Sequence, residues 1–183
     1  KDDGVLTVEF PHLLNMLQQV QFDTIYHEHY FYLSLLSVET VFKAHGLRVF
    51  DVEEISTHGG SLRVFACKQG SSRHEAGPGL EAVRAKERAA GLEDGSAYAG
   101  FAEKVNGVRE GLVAFLHTAH SEGKTVVGYG AAAKGNTLLN YCALDAASID
   151  FVVDANDWKQ GRFLPGSRIP VLGPQHIDSA KPD

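Results

Sequence analysis

The period of the hydrophobic pattern changes several times along the chain. Val5-Leu6-Thr7-Val8-Glu9-Phe10 predicts a short buried strand, and a helix follows around 11–20. An irregular segment occupies 22–33, a second helix runs from about Ser37 to Ala44, and Gly46 stops it as a C-cap. Two strands come next, over 47–52 and 61–66. The second alternates Leu62, Val64 and Ala66 with Ser61, Arg63 and Phe65, and its closeness to the first predicts an antiparallel pair at a sheet edge. Residues 1–68 therefore read as the end of a doubly wound α/β domain.

Glycine, serine and proline crowd residues 70–79, which read as a linker. Helices are predicted over 79–91 and 96–120; Phe101, Val105, Val108, Leu112, Phe115 and Leu116 recur at helical spacing and give the second one a packing face. After Gly123 the pattern becomes strand (125–130), helix (131–141) and strand (149–154), a β-α-β order that requires a parallel pair. The expected fold is thus α/β in three parts: 1–68, a helical connector over 69–123, and a Rossmann-like domain over 124–183. The chain opens in a turn with no earlier strand to pair with Val5, and it stops after a short helix-like segment where a strand would come next. Both termini are expected to be truncated.

Composition narrows the function classes. With 183 residues, 44% of them hydrophobic, the chain can bury a real core. A net charge of −6 argues against general nucleic-acid binding, which needs a cationic surface to displace counterions. Cys67 and Cys142 lie far apart without metal-ligand spacing and read as free buried thiols. No apolar run approaches the roughly 20 residues that span a bilayer, and no signal-like segment opens the chain. A cytoplasmic monomer without a membrane partner is expected.

Four stretches carry candidate chemistry. Tyr26-His27-Glu28-His29 is too dense in polar groups for a core, since each would have to find a partner out of water. It could serve as a general acid/base centre, with a near-neutral imidazole oriented by a carboxylate, or bind a metal, or hold loop histidines with no role. Histidines two apart suit a metal only on extended chain, and no metal is expected here. Gly128-Tyr129-Gly130-Ala131-Ala132-Ala133-Lys134-Gly135-Asn136 is a strand-to-helix glycine turn able to cradle phosphate on free N–H groups. Its third glycine comes too late for the dinucleotide fingerprint, although Asp154 lies about where such a fold carries its ribose-binding acid. An architectural turn is the alternative. Residues 154–171 form a loop in which Lys159 and Arg162 could neutralise a diphosphate and Trp158 or Phe163 could cover a base, or whose aromatics merely pin it down. His58-Gly59-Gly60-Ser61 is a glycine corner that offers two polar side chains to a substrate, or a simple turn.

In combination, FDTIYHEHYFYLS, HGGSLRVFA, VVGYGAAAKGNTLLNY and DANDWKQGRFLPGSRIPV resemble the nucleotide-sugar C-methyltransferases, which act on thymidine diphosphate keto sugars in deoxysugar biosynthesis. The resemblance covers nearly the whole chain in order. It implies the C-terminal part of a methyltransferase sheet followed by most of a nucleotide-sugar-binding domain, with the zinc module and the main S-adenosylmethionine loop upstream of Lys1. It also implies an active site containing Tyr26, Glu28 and His29. His29 is expected as the base that removes a proton next to the sugar ketone, Glu28 as its orienter or a sugar hydrogen-bond partner, and Tyr26 as a donor to the enolate oxygen. Gly128, Gly130, Lys134, Gly135, Asn136, Asp154, Lys159, Arg162, His58 and Ser61 are the expected substrate contacts. A non-catalytic nucleotide-sugar-binding module and an NAD-dependent oxidoreductase are the alternatives.

Overall fold

Strand β1 (Leu6–Pro11), helix α1 (Leu13–Gln18), helix α2 (Leu35–Ala44), strands β2 (Leu47–Ile55) and β3 (Ser61–Lys68) and helix α3 (Pro78–Ala89) build the first part of the chain, in a computed structural model that describes residues 3–183. β3 pairs antiparallel with both β1 and β2 in the order β1-β3-β2. The strand expected at an edge is therefore the central one, which explains why Leu62, Val64 and Ala66 are fully buried. β1, expected to be buried, is the outer strand: Val5 and Leu6 are exposed, and only its second half turns towards the core. On the opposite face Arg63 reaches Glu9 of β1 and Glu53 of β2, a cross-strand ladder in water that stabilises little.

α2 and α3 cover one face of this sheet, closing a core of Phe10, Leu35, Val38, Val49, Val52, Leu62, Val64, Leu80 and Val83. Inside it lies an unexpected polar group. Glu87 of α3 is fully buried, accepts from His12 Nε2 at 2.8 Å, and accepts the N–H groups of Leu35 and Leu36 at 2.6 and 2.9 Å. One carboxylate thus clamps the start of α2 and the histidine that precedes α1, with the Ser34–Ser37 capping box closing the rest of that helix end.

The chain divides into two compact units, 1–21 with 30–101 and 22–29 with 102–183, so α3 falls in the first and nearly all of the next helix in the second. In the second unit, α4 (Phe101–Ser121) packs through Val105, Leu112, Leu116 and Ala119. Of the six residues expected to form its stripe, two do not pack: Val108 and Phe115 are exposed. Strands β4 (Gly128–Tyr129) and β5 (Val152–Val153), joined through helix α5 (Ala133–Tyr141), are parallel as expected but shorter. The stretch 154–171, expected as a loop, contributes two further strands. β7 (Pro170–Leu172) pairs parallel with β5, and β6 (Arg162–Phe163) folds back antiparallel on β7, giving the order β4-β5-β7-β6. Helix α6 (Gln175–Ala180) follows. Both cysteines are buried and free, and among the described residues no helix is long and apolar enough to cross a membrane.

Candidate functional site

Phe22-Asp23-Thr24 forms a single 3₁₀ turn whose Phe22 is buried against Tyr141 of α5, ring centroids 4.9 Å apart. Tyr141 is fixed in turn by a hydrogen bond from its hydroxyl to Asn106 of α4 at 2.8 Å. From this anchor the chain makes a second turn, closed by the His29 N–H donating to the Tyr26 carbonyl at 3.0 Å. Packing at Phe22 holds the segment, so Tyr26, His27, Glu28 and His29 need contribute little to the core. His27 and Glu28 stand exposed at the tip; Tyr26 and His29 are half-buried.

The Thr24 carbonyl organises the turn. It accepts the Tyr26 N–H at 3.1 Å and bonds His29 Nδ1 at 2.9 Å. A carbonyl can only accept, so Nδ1 carries the hydrogen and Nε2 is the basic nitrogen of the neutral ring. The Tyr26 ring lies 4.5 Å from the imidazole, centroid to centroid. The partner of Nδ1 is thus a backbone carbonyl. Thr24 was not legible as a participant, because a main-chain oxygen has no sequence signature. Among the described residues no group of three or more His, Cys, Asp or Glu gathers as a metal site.

The Gly128–Asn136 turn, in the same unit, is set by close packing and by an ion pair. A Cβ on Gly128 would fall 2.7 Å from a methyl of Val152, so β4 and β5 approach only through glycine. Gly130 takes φ +98° to turn the chain into α5, whose cap, Ala132, offers no side-chain oxygen. The first-turn N–H groups of Ala133, Lys134 and Gly135 thus have no side-chain cap. A Cβ on Gly135 would meet nothing within 4 Å, so packing does not demand glycine there. Asn136 carries a buried Oδ1 without a partner among the described residues.

Asp154 ties this turn down. Its oxygens accept the N–H groups of Asn156 at 2.9 Å and Ala131 at 2.7 Å and Lys159 Nζ at 3.0 Å, and Lys159 also donates to the Ala131 carbonyl at 2.9 Å. Hydrogen bonds from Asn156 and Ala131, with Lys159 beside them, hold the carboxyl down at about 2. A carboxylate so engaged is a clasp between the end of β5 and the glycine turn. Arg162 is exposed on β6, and Tyr129 and Trp158 are largely exposed, at 78% and 83%.

His58 and Ser61 fall in the first unit. Ser61 is buried and donates to the Thr57 carbonyl at 3.0 Å, which closes the corner between β2 and β3; His58 is exposed.

Comparison with known proteins matches residues 56–183 to the C-methyltransferase C-terminal domain. The C-methyltransferase NovU of Streptomyces niveus is 42% identical over 181 residues, covering 99% of this chain and 43% of that protein. The chain therefore spans less than half the length of that relative. With a family model aligned over most of its length, the chain belongs to the C-methyltransferase family, and residues 56–183 are its C-terminal domain.

Proposed function

We propose that this chain supplies the proton-abstraction turn and the nucleotide-sugar-binding unit of an S-adenosylmethionine-dependent enzyme that C-methylates a nucleotide-linked keto sugar. The observation that carries the reading is the hydrogen bond between His29 Nδ1 and the Thr24 carbonyl. It commits the Nδ1–H, which makes Nε2 the nitrogen able to accept a proton. A hydrogen on the carbon beside a ketone is acidic because the carbonyl takes up the electron pair as the proton leaves. Nε2 of His29 takes that proton, the pair moves onto the carbonyl oxygen, and the Tyr26 hydroxyl donates to the resulting oxyanion. Glu28, exposed at the tip of the turn, bonds a sugar hydroxyl.

The second unit, read as Rossmann-like, holds the diphosphate. The first-turn N–H groups of α5 and the side chains of Lys134 and Arg162 supply positive potential, while Lys159 is engaged by Asp154. Gly130 and Gly135 leave the backbone open to close approach, and Asn136 adds a polar group. Asp154 keeps the cradle in shape, and its engagement argues against the NAD-dependent alternative, which needs that acid for a ribose.

S-adenosylmethionine supplies an electrophilic methyl group on a sulfonium. The first unit does not fit it: β1 passes through Pro11 and His12 straight into α1 with no glycine turn between them. Incubating the full-length protein with methyl-labelled S-adenosylmethionine and a thymidine diphosphate keto sugar is expected to place the label on a sugar carbon. Label on oxygen, or turnover that needs NADH instead, would contradict the proposal.

A further inference from the structure

Helix α5 carries the seat of the His29 turn on its last residue. Tyr141 closes the helix, and its ring meets that of Phe22 at 4.9 Å between centroids, inclined by 57°. Helices fray at their ends, where the last carbonyls lack partners within the helix. A ring fixed only to such an end would move with it. Here the Tyr141 hydroxyl donates to Asn106 Oδ1 at 2.8 Å, and Asn106 lies inside α4, a helix of 21 residues. The end of the shorter helix is thereby tied to the body of the longer one.

Packing does not account for the hydroxyl. Phenylalanine would present the same ring to Phe22, and the bond to Asn106 joins two exposed side chains, where a hydrogen bond contributes little to folding, about 0.5 kcal/mol. What the bond adds is position. Phe22 opens the 3₁₀ turn, and the carbonyl of Thr24, the last residue of that turn, holds His29 Nδ1 at 2.9 Å. A shift of the Tyr141 ring therefore displaces Phe22, the Thr24 carbonyl and the imidazole together. All of these residues belong to the second unit.

We infer that Tyr141 is a positioning residue for proton abstraction, whose hydroxyl, anchored on Asn106, holds Phe22 and through it the direction of His29 Nε2. The inference rests on the reading of His29 as the base. Misplacing a reacting group by about 1 Å can slow a step by about 100-fold, so a partly loosened seat predicts a loss of about tenfold.

In the full-length protein with a thymidine diphosphate keto sugar, Tyr141→Phe and Asn106→Ala should each lower kcat and the rate of α-proton exchange with deuterated water by about tenfold, with KM within about twofold of the parent. Asn106→Ala replaces an exposed helix residue with a better helix former, so α4 itself persists. Both changes remove the same bond, and the double variant should be no slower than either alone. A bond that only stabilised the fold would move Tm and leave exchange at saturating substrate untouched. Parental exchange in either single variant, an effect confined to KM or Tm, or a double variant slower by the product of the two losses overturns the inference and leaves the functional reading intact. Undiminished exchange in His29→Asn, or no exchange in the parent, overturns the base assignment and this inference with it.

Discussion

Replacing Asp154 with asparagine removes one negative charge from the clasp beneath the glycine turn while keeping its shape. A carboxyl held at about 2, against an ordinary 3.8, contributes about 2 kcal/mol at neutral pH, at roughly 1.4 kcal/mol per tenfold change in proton affinity. The Asp154 side chain is 14% exposed but Lys159 is 42% exposed, so water screens the ion pair and the two backbone N–H bonds carry most of this contribution. The sign follows from the direction of the shift. A depressed carboxyl stabilises the fold fully above the unfolded value near 4 and loses that contribution as the pH falls towards 2. By pH 3 about half of it remains. Urea unfolding of parent and Asp154→Asn, followed by circular dichroism at pH 7 and at pH 3, should give a difference of about 2 kcal/mol that shrinks to about 1 kcal/mol. An equal difference at both pH values, or one below about 0.5 kcal/mol at pH 7, refutes the clasp.

Further outcomes follow from the first unit. Glu87→Ala leaves His12 and the N–H groups of Leu35 and Leu36 buried without their acceptor, so unfolding free energy should drop by about 3–5 kcal/mol, read from the denaturant midpoint; a loss under about 1 kcal/mol would mean the clamp is dispensable. Val20 is a β-branched residue at φ 54°, with the following Gln21 N–H on the Met16 carbonyl at 2.9 Å. Relief of that strain, less the entropy glycine adds to the unfolded chain, predicts that Val20→Gly stabilises by about 0.5–1 kcal/mol, measurable as a raised denaturation midpoint.

Elements with regular periodicity were legible in the sequence. The alternation in β3 and the helical spacing in α3 and α4 identified those elements, because period follows from backbone geometry alone. Position within a sheet was not legible. The 61–66 run looked like half of a hairpin, yet β1 returns from far along the chain to make it central. The strands within 154–171 are two or three residues long, too short to show a period. Glu87 was invisible for a different reason: in a run of Ala, Glu, Lys and Arg it resembles its solvated neighbours, and only the arrival of His12 and the start of α2 makes it interior.

The candidate site divides the same way. The density of polar groups in Tyr26–His29 marked it as unlike core, and the glycines marked the turn before α5. What orients those groups is backbone, from the Thr24 carbonyl beneath His29 to the Ala131 N–H on Asp154. Residue type carries no record of such bonds. Asp154 lay at the spacing of a ribose ligand, while its carboxylate is engaged in holding the turn together.

Exchange of the sugar's α-proton with deuterated water, followed by proton NMR in the full-length protein without methyl transfer, isolates the step assigned to His29. His29→Asn keeps a polar side chain but no base. It is expected to abolish exchange while leaving nucleotide-sugar affinity within a few-fold of the parent. Exchange that continues undiminished in His29→Asn would remove His29 as the base and contradict the account at its centre.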